Sequence, residues 1–339
     1  MNGRRYPAMA GILAIAIIAF IANLSFGASA MSPRSVVAAL FAFDPDNYDH
    51  FVVLYQRLPR ALIAVFLGAV MACGGAVLQG LTRNPLASPG ILGVSSGAML
   101  FVVIAAFLLD VPSQGQGVAA ILGGFFGFLN CLLVTRLIVS SKEPHGLAFI
   151  LSGAVLSMLH GAIANAIMLS SPSRRSDFLS WATGNINHVY VERLRDFWWL
   201  GALGLVMLLA MARPLTLITL GRDKAASAGV DVTRITWLSI GAVVVSVSVA
   251  VAICGPIGFV GLVTPHIVRP LVGASFRLAL PANAVLGAAI CLLADLAARS
   301  AFAPHVLNTG IMMDLLGGIV FAVIVKRYYL STSERGAWR

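Results

Sequence analysis

Charge is what this 339-residue sequence has least of: Asp, Glu, Lys and Arg make up 11% of it, and only 13 residues are acidic. A water-soluble domain carries roughly 25%. With 59% hydrophobic residues, the chain has more apolar surface than one aqueous core can hide, so it reads as a polytopic membrane protein. Its formal charge of +10 does not point to nucleic acid, because the basic residues stand singly between apolar runs rather than in a patch. Cysteine is scarce as well. Cys73, Cys131, Cys254 and Cys291 lie in apolar segments, form no CxxC pair and read as buried small side chains. No GxxxxGK[ST] phosphate loop is present, so this chain is not expected to hydrolyse ATP. Nor is there an HExxH motif, a nucleophile–base pair or a His pair at zinc spacing, so neither an enzyme, a cofactor nor a metal site is expected. Residues 1–339 read as one all-α transmembrane unit.

Apolar runs fall near 9–29, 60–81, 90–109, 117–140, 146–170, 196–213, 235–254, 256–272, 279–298 and 307–326, which predicts ten spans. Arg4 and Arg5 precede the first run, and Ala28-Ser29-Ala30 imitates a signal-peptidase site. The length of the run suits a spanning helix better than a signal core. Ile235 to Thr264 contains no charge over 30 residues; as one helix it would rise about 45 Å, against a bilayer core of about 30 Å. Cys254-Gly255-Pro256 is the expected break. With both termini cytoplasmic, 15 of the 23 Lys and Arg fall on the inner side and 8 on the outer, as the positive-inside rule asks. The long outer segments are then about 30–56 and 171–195, and the longest inner connector is about 214–233.

Residues 57–98 pack two apolar segments around a short polar connector, Thr82-Arg83-Asn84-Pro85-Leu86-Ala87-Ser88-Pro89. The segment contains Arg57-Leu58-Pro59-Arg60, Gln79, Asn84-Pro85-Leu86 and Gly93-Val94-Ser95-Ser96-Gly97-Ala98. A second signature, CGPIGFVGLVTPHIVRPLVG, runs over 254–273, with Gly255, Pro256, Gly258, Gly261, Pro265, His266 and Arg269, and ADLAAR follows at 294–299. From Arg57 onward the chain resembles the FecCD family, the permease subunits of ABC importers for ferric siderophores, haem and cobalamin. The resemblance implies an ABC type II importer fold in the bacterial cytoplasmic membrane. It also implies partners: two cytoplasmic ABC ATPase subunits, a periplasmic substrate-binding protein and a second permease chain, identical or homologous. By the same resemblance, Arg57, Arg60 and Arg299 receive carboxylates of the binding protein, a task suited to the planar guanidinium fork. The alternative for them is interfacial anchoring by snorkelling. Arg174 and Arg175 are weaker docking candidates. The inner connector corresponds to the coupling loop, where Ala225, Ala226, Ala228 and Gly229 would pack on the ATPase and Arg222, Asp223 and Lys224 would make polar contacts.

Asp314 is the anomaly, because an ionised Asp at mid-bilayer costs about 2.5–3.5 kcal/mol on insertion scales. It is expected to line a pathway, to carry protons, or to bond a neighbouring helix. His160 and Asn165 on the fifth run are further pathway candidates, with helix packing the plainer role for the histidine. The glycines of 255–261 would leave one helix face bare for a neighbour. Asn84 and Pro85 would end one helix and cap the next. Where cobalamin-type members read ELPxG, this chain has Val306-Leu307-Asn308-Thr309-Gly310, and Asp314 precedes Gly317-Gly318. By resemblance, that favours a catecholate-type ferric siderophore ahead of haem and cobalamin. A rival class is a proton-coupled secondary transporter that uses Asp314 and Asp295 and needs no ATPase.

Overall fold

A computed structural model describes residues 5–27, 30–138, 146–170, 178–302 and 305–326. The expected inner connector 141–145, and Arg174 and Arg175, lie outside the described residues. Those described form helices and turns, with no strand among them. In chain order the helices are α1 (Arg5–Ser25), α2 (Pro33–Phe41), α3 (Tyr48–Val52), α4 (Leu58–Thr82), α5 (Val94–Phe107), α6 (Ser113–Ile138), α7 (Gly146–Leu169), α8 (178–182), α9 (Val191–Ala210) and α10 (Ala212–Leu220). They continue as α11 (Arg222–Ser227), α12 (Val232–Cys254), α13 (Val260–Val272), α14 (Phe276–Ser300) and α15 (Thr309–Val325). A π-helical turn, Val53–Arg57, joins α3 to α4.

The expectation of ten spans is not met. Among the described residues, six helices are long and apolar enough to cross a membrane, or seven if α9 and α10, bent by 54°, count as one. Helices α5, α13 and α15 are apolar but only 14, 13 and 17 residues long. At 1.5 Å per residue they rise about 20–25 Å, less than the bilayer core. The apolar runs were longer than these helices because turns use up their ends. Residues 83–93 are spent before α5 begins, and 255–259 before α13.

Three helices form the centre. In an apolar 18-residue stretch of each, buried residues make up 78% in the α3–α4 span, 72% in α12 and 61% in α14, against 28% in α1 and in α7. The outer helices turn apolar side chains away from the bundle, among them Leu151, Val155 and Met158 of α7. Such faces are at home in lipid. The core helices approach closely through glycine. Gly68 meets Gly287 between α4 and α14, Gly75 meets Gly261 between α4 and α13, and Gly97 meets Gly123 between α5 and α6. A Cβ at any of these would run into facing backbone.

The charge-free run does break where its sequence suggests. Helix α12 ends at Cys254, Gly255 takes a left-handed φ of 78° with its N–H on the Val251 carbonyl, and the helix resumes at Val260. Gly255 also lies so close to the Trp181 carbonyl of α8 that no side chain fits. The expected bare helix face is corrected here: Gly255 and Gly258 lie in the break itself, and only Gly261 is helical. Asn84 likewise does not cap the following helix. Its Oδ1 accepts from the Leu86 N–H at 2.9 Å in a local turn, and Gly93 precedes α5 instead. The 214–233 connector begins inside α10 and contains α11, a short helix in its Ala-rich core, with turns on either side.

Candidate functional site

Polar groups gather at the two ends of the central α4–α14 pair. At the end that is outer by the charge rule, the N-terminus of α4 brings Arg57 and Arg60 beside Asp295 and Arg299, one helical turn apart on α14. Asp295 is fully buried, and Arg57, Arg60 and Arg299 are 4%, 8% and 9% exposed. Arg60 Nη2 stands 2.7 Å from Asp295 Oδ1, which also accepts from Thr309 Oγ1 at 3.1 Å. Arg299 Nε and Asn23 Nδ2 donate to Oδ2, each at 3.1 Å. Arg57 Nη1 donates to the carbonyls of Leu24 and Ser25 at 2.8 and 2.7 Å, and Arg299 Nη2 to that of Asn23 at 3.0 Å. The arginines therefore satisfy the last carbonyls of α1, where a helix leaves acceptors unused and favours cations. Gly27 covers them closely: a Cβ there would stand 3.0 Å from the Arg299 guanidinium.

This placement corrects two sequence expectations. The three arginines are not splayed into the interface as snorkelling anchors; they belong to a buried cluster with three guanidiniums and one carboxylate. Asp295 does not suit a proton carrier, because both its oxygens are occupied and it has no contact with solvent. Sequence reading noted ADLAAR at 294–299 but had no means of bringing in Asn23, 272 residues from Asp295, or Thr309 beyond the end of α14.

At the other end, Gln79, Arg83 and Pro85 from α4 and its following turn meet Arg269 of α13, Thr219 of α10, and Phe276 and Asn283 of α14 around a cavity of about 230 Å3. Gln79 Nε2 donates to the carbonyls of Leu262 and Gly261 at 3.2 and 3.4 Å, tying α4 to α13. His266 Nδ1 lies 2.8 Å from the Leu262 carbonyl, and Pro265 is buried in the same helix. Thus Gln79, Pro85 and Arg269, from signatures about 180 residues apart, border one cavity, and Gln79 reaches the Gly261 carbonyl.

In the coupling segment, Arg222, Asp223, Lys224, Ala226, Ala228 and Gly229 are exposed. Ala225 is wholly buried and accepts the Val230 N–H at 3.0 Å, so it anchors α11 inward rather than offering a surface. The pathway candidates do not converge. His160 is buried, with Nδ1 3.1 Å from Ser96 Oγ and its ring 5.9 Å from that of Phe126, in the packing of α5, α6 and α7. Asn165 is exposed on α7. Asp314 is exposed on α15 beside the break, where a Cβ on Gly258 would stand 2.8 Å from its Oδ1.

A group overlooked by sequence reading is Arg193 at the start of α9. It donates to Gln116 Oε1 at 2.8 Å and to the Ala252 carbonyl at 3.0 Å, and its guanidinium lies 5.9 and 5.7 Å from the Trp181 and Tyr190 ring centres. It thus ties α9 to α6, α8 and the end of α12. Among the described residues no group of three His, Cys, Asp or Glu side chains is placed to hold a metal ion.

Comparison with known proteins places this arrangement. The chain is 33% identical over 320 residues to the iron(3+)-hydroxamate import permease FhuB of Bacillus subtilis, covering 94% of this chain and 82% of the relative. It is 33% identical over 335 residues to the hemin transport permease HmuU of Yersinia pestis, covering 96% and 98%. Its fold matches an ABC transporter assigned to the metal-chelate type, solved in an inward-facing conformation, with a TM-score of 0.77, 30% identity and coverage of 95% and 99%. The FecCD transport family matches residues 15–327, and the chain belongs to that family.

Proposed function

We propose that this protein is the membrane permease of a binding-protein-dependent ABC importer, moving a ferric siderophore or haem across the cytoplasmic membrane. The observation that carries this reading is the likeness to a metal-chelate transporter along 95% of the chain. The chain itself supplies no ATP-binding loop, so hydrolysis falls to a separate ATPase, and a periplasmic binding protein delivers the chelate. Two permease chains would enclose the path. Within the substrate class we favour a catecholate-type ferric siderophore, supported by Asp314 ahead of Gly317-Gly318. Its 33% identity to both a hydroxamate and a hemin permease gives whole-chain similarity no vote on this finer point.

The orientation follows from charge. We place both termini in the cytoplasm, the side that the ten-run reading of the sequence gives them with 15 Lys and Arg inside and 8 outside; that division rests on the ten runs and not on the six or seven long helices. Arg5 approaches Gly273, close in the chain to Arg269, so these basic groups share the end opposite Arg57, Arg60 and Arg299. The exposed Arg222, Asp223, Lys224, Ala226, Ala228 and Gly229 would then face the ATPase. For the binding protein, Arg57, Arg60 and Arg299 remain the proposed docking set. Three guanidiniums around one carboxylate leave an excess of positive charge, and Arg60 Nε is a buried donor with no partner. An incoming carboxylate would have to enter past Gly27, in exchange for carbonyls of α1. Arginine is suited to such an exchange because it keeps its charge throughout.

The test is ATPase activity of the chain reconstituted in lipid with its ATPase, with and without binding protein loaded with ferric enterobactin. Stimulation by the loaded binding protein is the expected result. Uptake that needs no ATPase, follows a proton gradient and stops in Asp314→Asn would replace the importer by the secondary transporter.

A further inference from the structure

The break between α12 and α13 holds a strain that the importer reading leaves unused. Phe259 takes φ 61° and ψ −32°, and the Val260 N–H reaches back to the Gly258 carbonyl at 2.8 Å. A hydrogen bond between residues two apart, closed over a residue with positive φ, is a γ-turn of the rare and strained hand. Arg83 and Asp110 are the other non-glycine residues with positive φ among those described, and neither is aromatic. A bulky side chain in that region is a steric outlier. Phe259 also stands at the N-cap of α13, where a short polar side chain or glycine is the usual choice. Neither turn propensity nor capping accounts for a phenylalanine here.

Strain of this kind persists only where the surroundings fix it, and here backbone meets backbone on two sides of the break. On one side lies the segment after α8. The Asn185 N–H donates to the Cys254 carbonyl at 2.8 Å, and a Cβ on Gly184 would run into the Pro256 carbonyl. On the other side lies α15, where Asp314, Gly317 and Gly318 share a face. A Cβ on Gly317 would run into the Cβ of Phe259, whose ring extends toward Gly318. The start of α15 is tied in turn. Thr309 Oγ1 donates to Asp295 in the outer arginine cluster, and the Gly310 N–H donates to the Gly184 carbonyl at 2.7 Å. The position of α15 therefore decides whether Phe259 has room to leave the turn. We propose that the Gly258-Phe259-Val260 turn is a strained catch, held shut by α15 and released when α15 draws away. Phe259 then returns to negative φ and re-aims α13 about the break. Coupling between distant sites needs a two-state element that both can bias. The catch would be that element, linked through Thr309 to the arginine cluster and through Val260 to α13. The strain stands on the geometry, and its use in transport rests on the importer reading.

Thermal unfolding of the full chain in lipid nanodiscs provides the test, with Phe259→Gly set against Phe259→Ala. Both variants lose the ring, so the difference between them reports the backbone. At negative φ the alanine variant is the more stable of such a pair, and at positive φ the order reverses. Phe259→Gly is expected to unfold about 2 °C above Phe259→Ala. Phe259→Ala at or above Phe259→Gly overturns the proposal. If neither folds, Phe259→Asn and Phe259→Val form a second pair, because asparagine tolerates positive φ and β-branched valine does not. Phe259→Asn should then unfold at the higher temperature, and the reverse order overturns the proposal. A second arm measures ATPase activity of the first pair, reconstituted with the ATPase and loaded binding protein. Glycine relieves the strain in this conformation and so deepens it. Stimulated turnover of Phe259→Gly should therefore lie about fivefold below that of Phe259→Ala. Equal turnover overturns the catch even where the stability order is as expected. If the unaltered chain shows no stimulation, the importer reading fails, and the stability order by itself judges the strained turn.

Discussion

The two ends of the α4–α14 pair handle buried charge in opposite ways. At the outer end, Arg57, Arg60 and Arg299 surround the buried carboxylate of Asp295; carbonyls of α1 accept from Arg57 and Arg299, and Arg60 Nε is left without a partner. At the inner end, Arg83 and Arg269 border a cavity with no acid, and two amide oxygens are left without donors. Both ends are rich in arginine, and from sequence both looked like motif positions. The difference is where a carboxylate stands: Asp295 lies within the first cluster, and none lines the second cavity. A carboxylate within the cluster joins helices, and any partner must compete with groups already in place.

The largest effect expected from this contrast is at Asp295. Asp295→Ala leaves buried guanidiniums without an anion and should cost about 3–5 kcal/mol, seen as a large fall in the unfolding temperature in detergent. Replacing the set together, Arg60→Met, Asp295→Leu and Arg299→Met, should recover more than half of that loss, since an apolar core of similar volume avoids desolvating charge. The combined variant also separates structure from docking. If the arginines receive the binding protein, it should fold and yet remain unstimulated by loaded binding protein; retained stimulation would remove docking from this cluster.

Smaller effects are expected where no buried charge is involved. Changing the exposed Arg222, Asp223 and Lys224 together to Ser should alter stability by no more than about 0.5 kcal/mol. ATPase stimulation should nonetheless fall, and unchanged stimulation would count against coupling through α11. At the inner end, Asn283→Leu removes a buried acceptor without a donor and should raise stability by about 1 kcal/mol. A loss instead would mean that the amide is already satisfied by ordered water.

The smallest expected effect concerns pH. Partial burial and the nearby charge of Arg60 lower the pKa of His188, on the outer face. Its folded value lies below its unfolded one, so the unfolded chain binds more protons between the two. Stability should therefore decline slightly as pH falls through about 6.5 and below, and His188→Gln should flatten that part of the profile. A steeper decline in the variant would contradict the assignment.

Much of this architecture was legible in the sequence, and its misreadings share a cause. Hydropathy located the apolar runs and the Gly255-Pro256 break, because lipid tolerates only segments that satisfy their own backbone. It overcounted spans because the runs near 90–109, 256–272 and 307–326 yield helices of only 14, 13 and 17 residues once turns take their ends. The motif arginines were visible as residues, but not as partners. Asn23, Thr309 and Asp295 are joined only by folding, and no local pattern announces a hydrogen bond across 272 residues. Ala225 was misread for a related reason: small size marks close packing without saying whether the neighbour is another subunit or the protein itself.

By itself, then, the sequence determined that this chain lives in a membrane, that it carries no GxxxxGK[ST] loop, and where its apolar runs lie. Those properties follow from composition, local periodicity and the presence or absence of short motifs. Only the tertiary structure decided which arginines are neutralised from within, which glycines are contact points between backbones, and where polar groups are left facing a cavity. Such outcomes depend on distances between residues remote in the chain, and a buried charge or amide takes its meaning from the partner that folding brings to it.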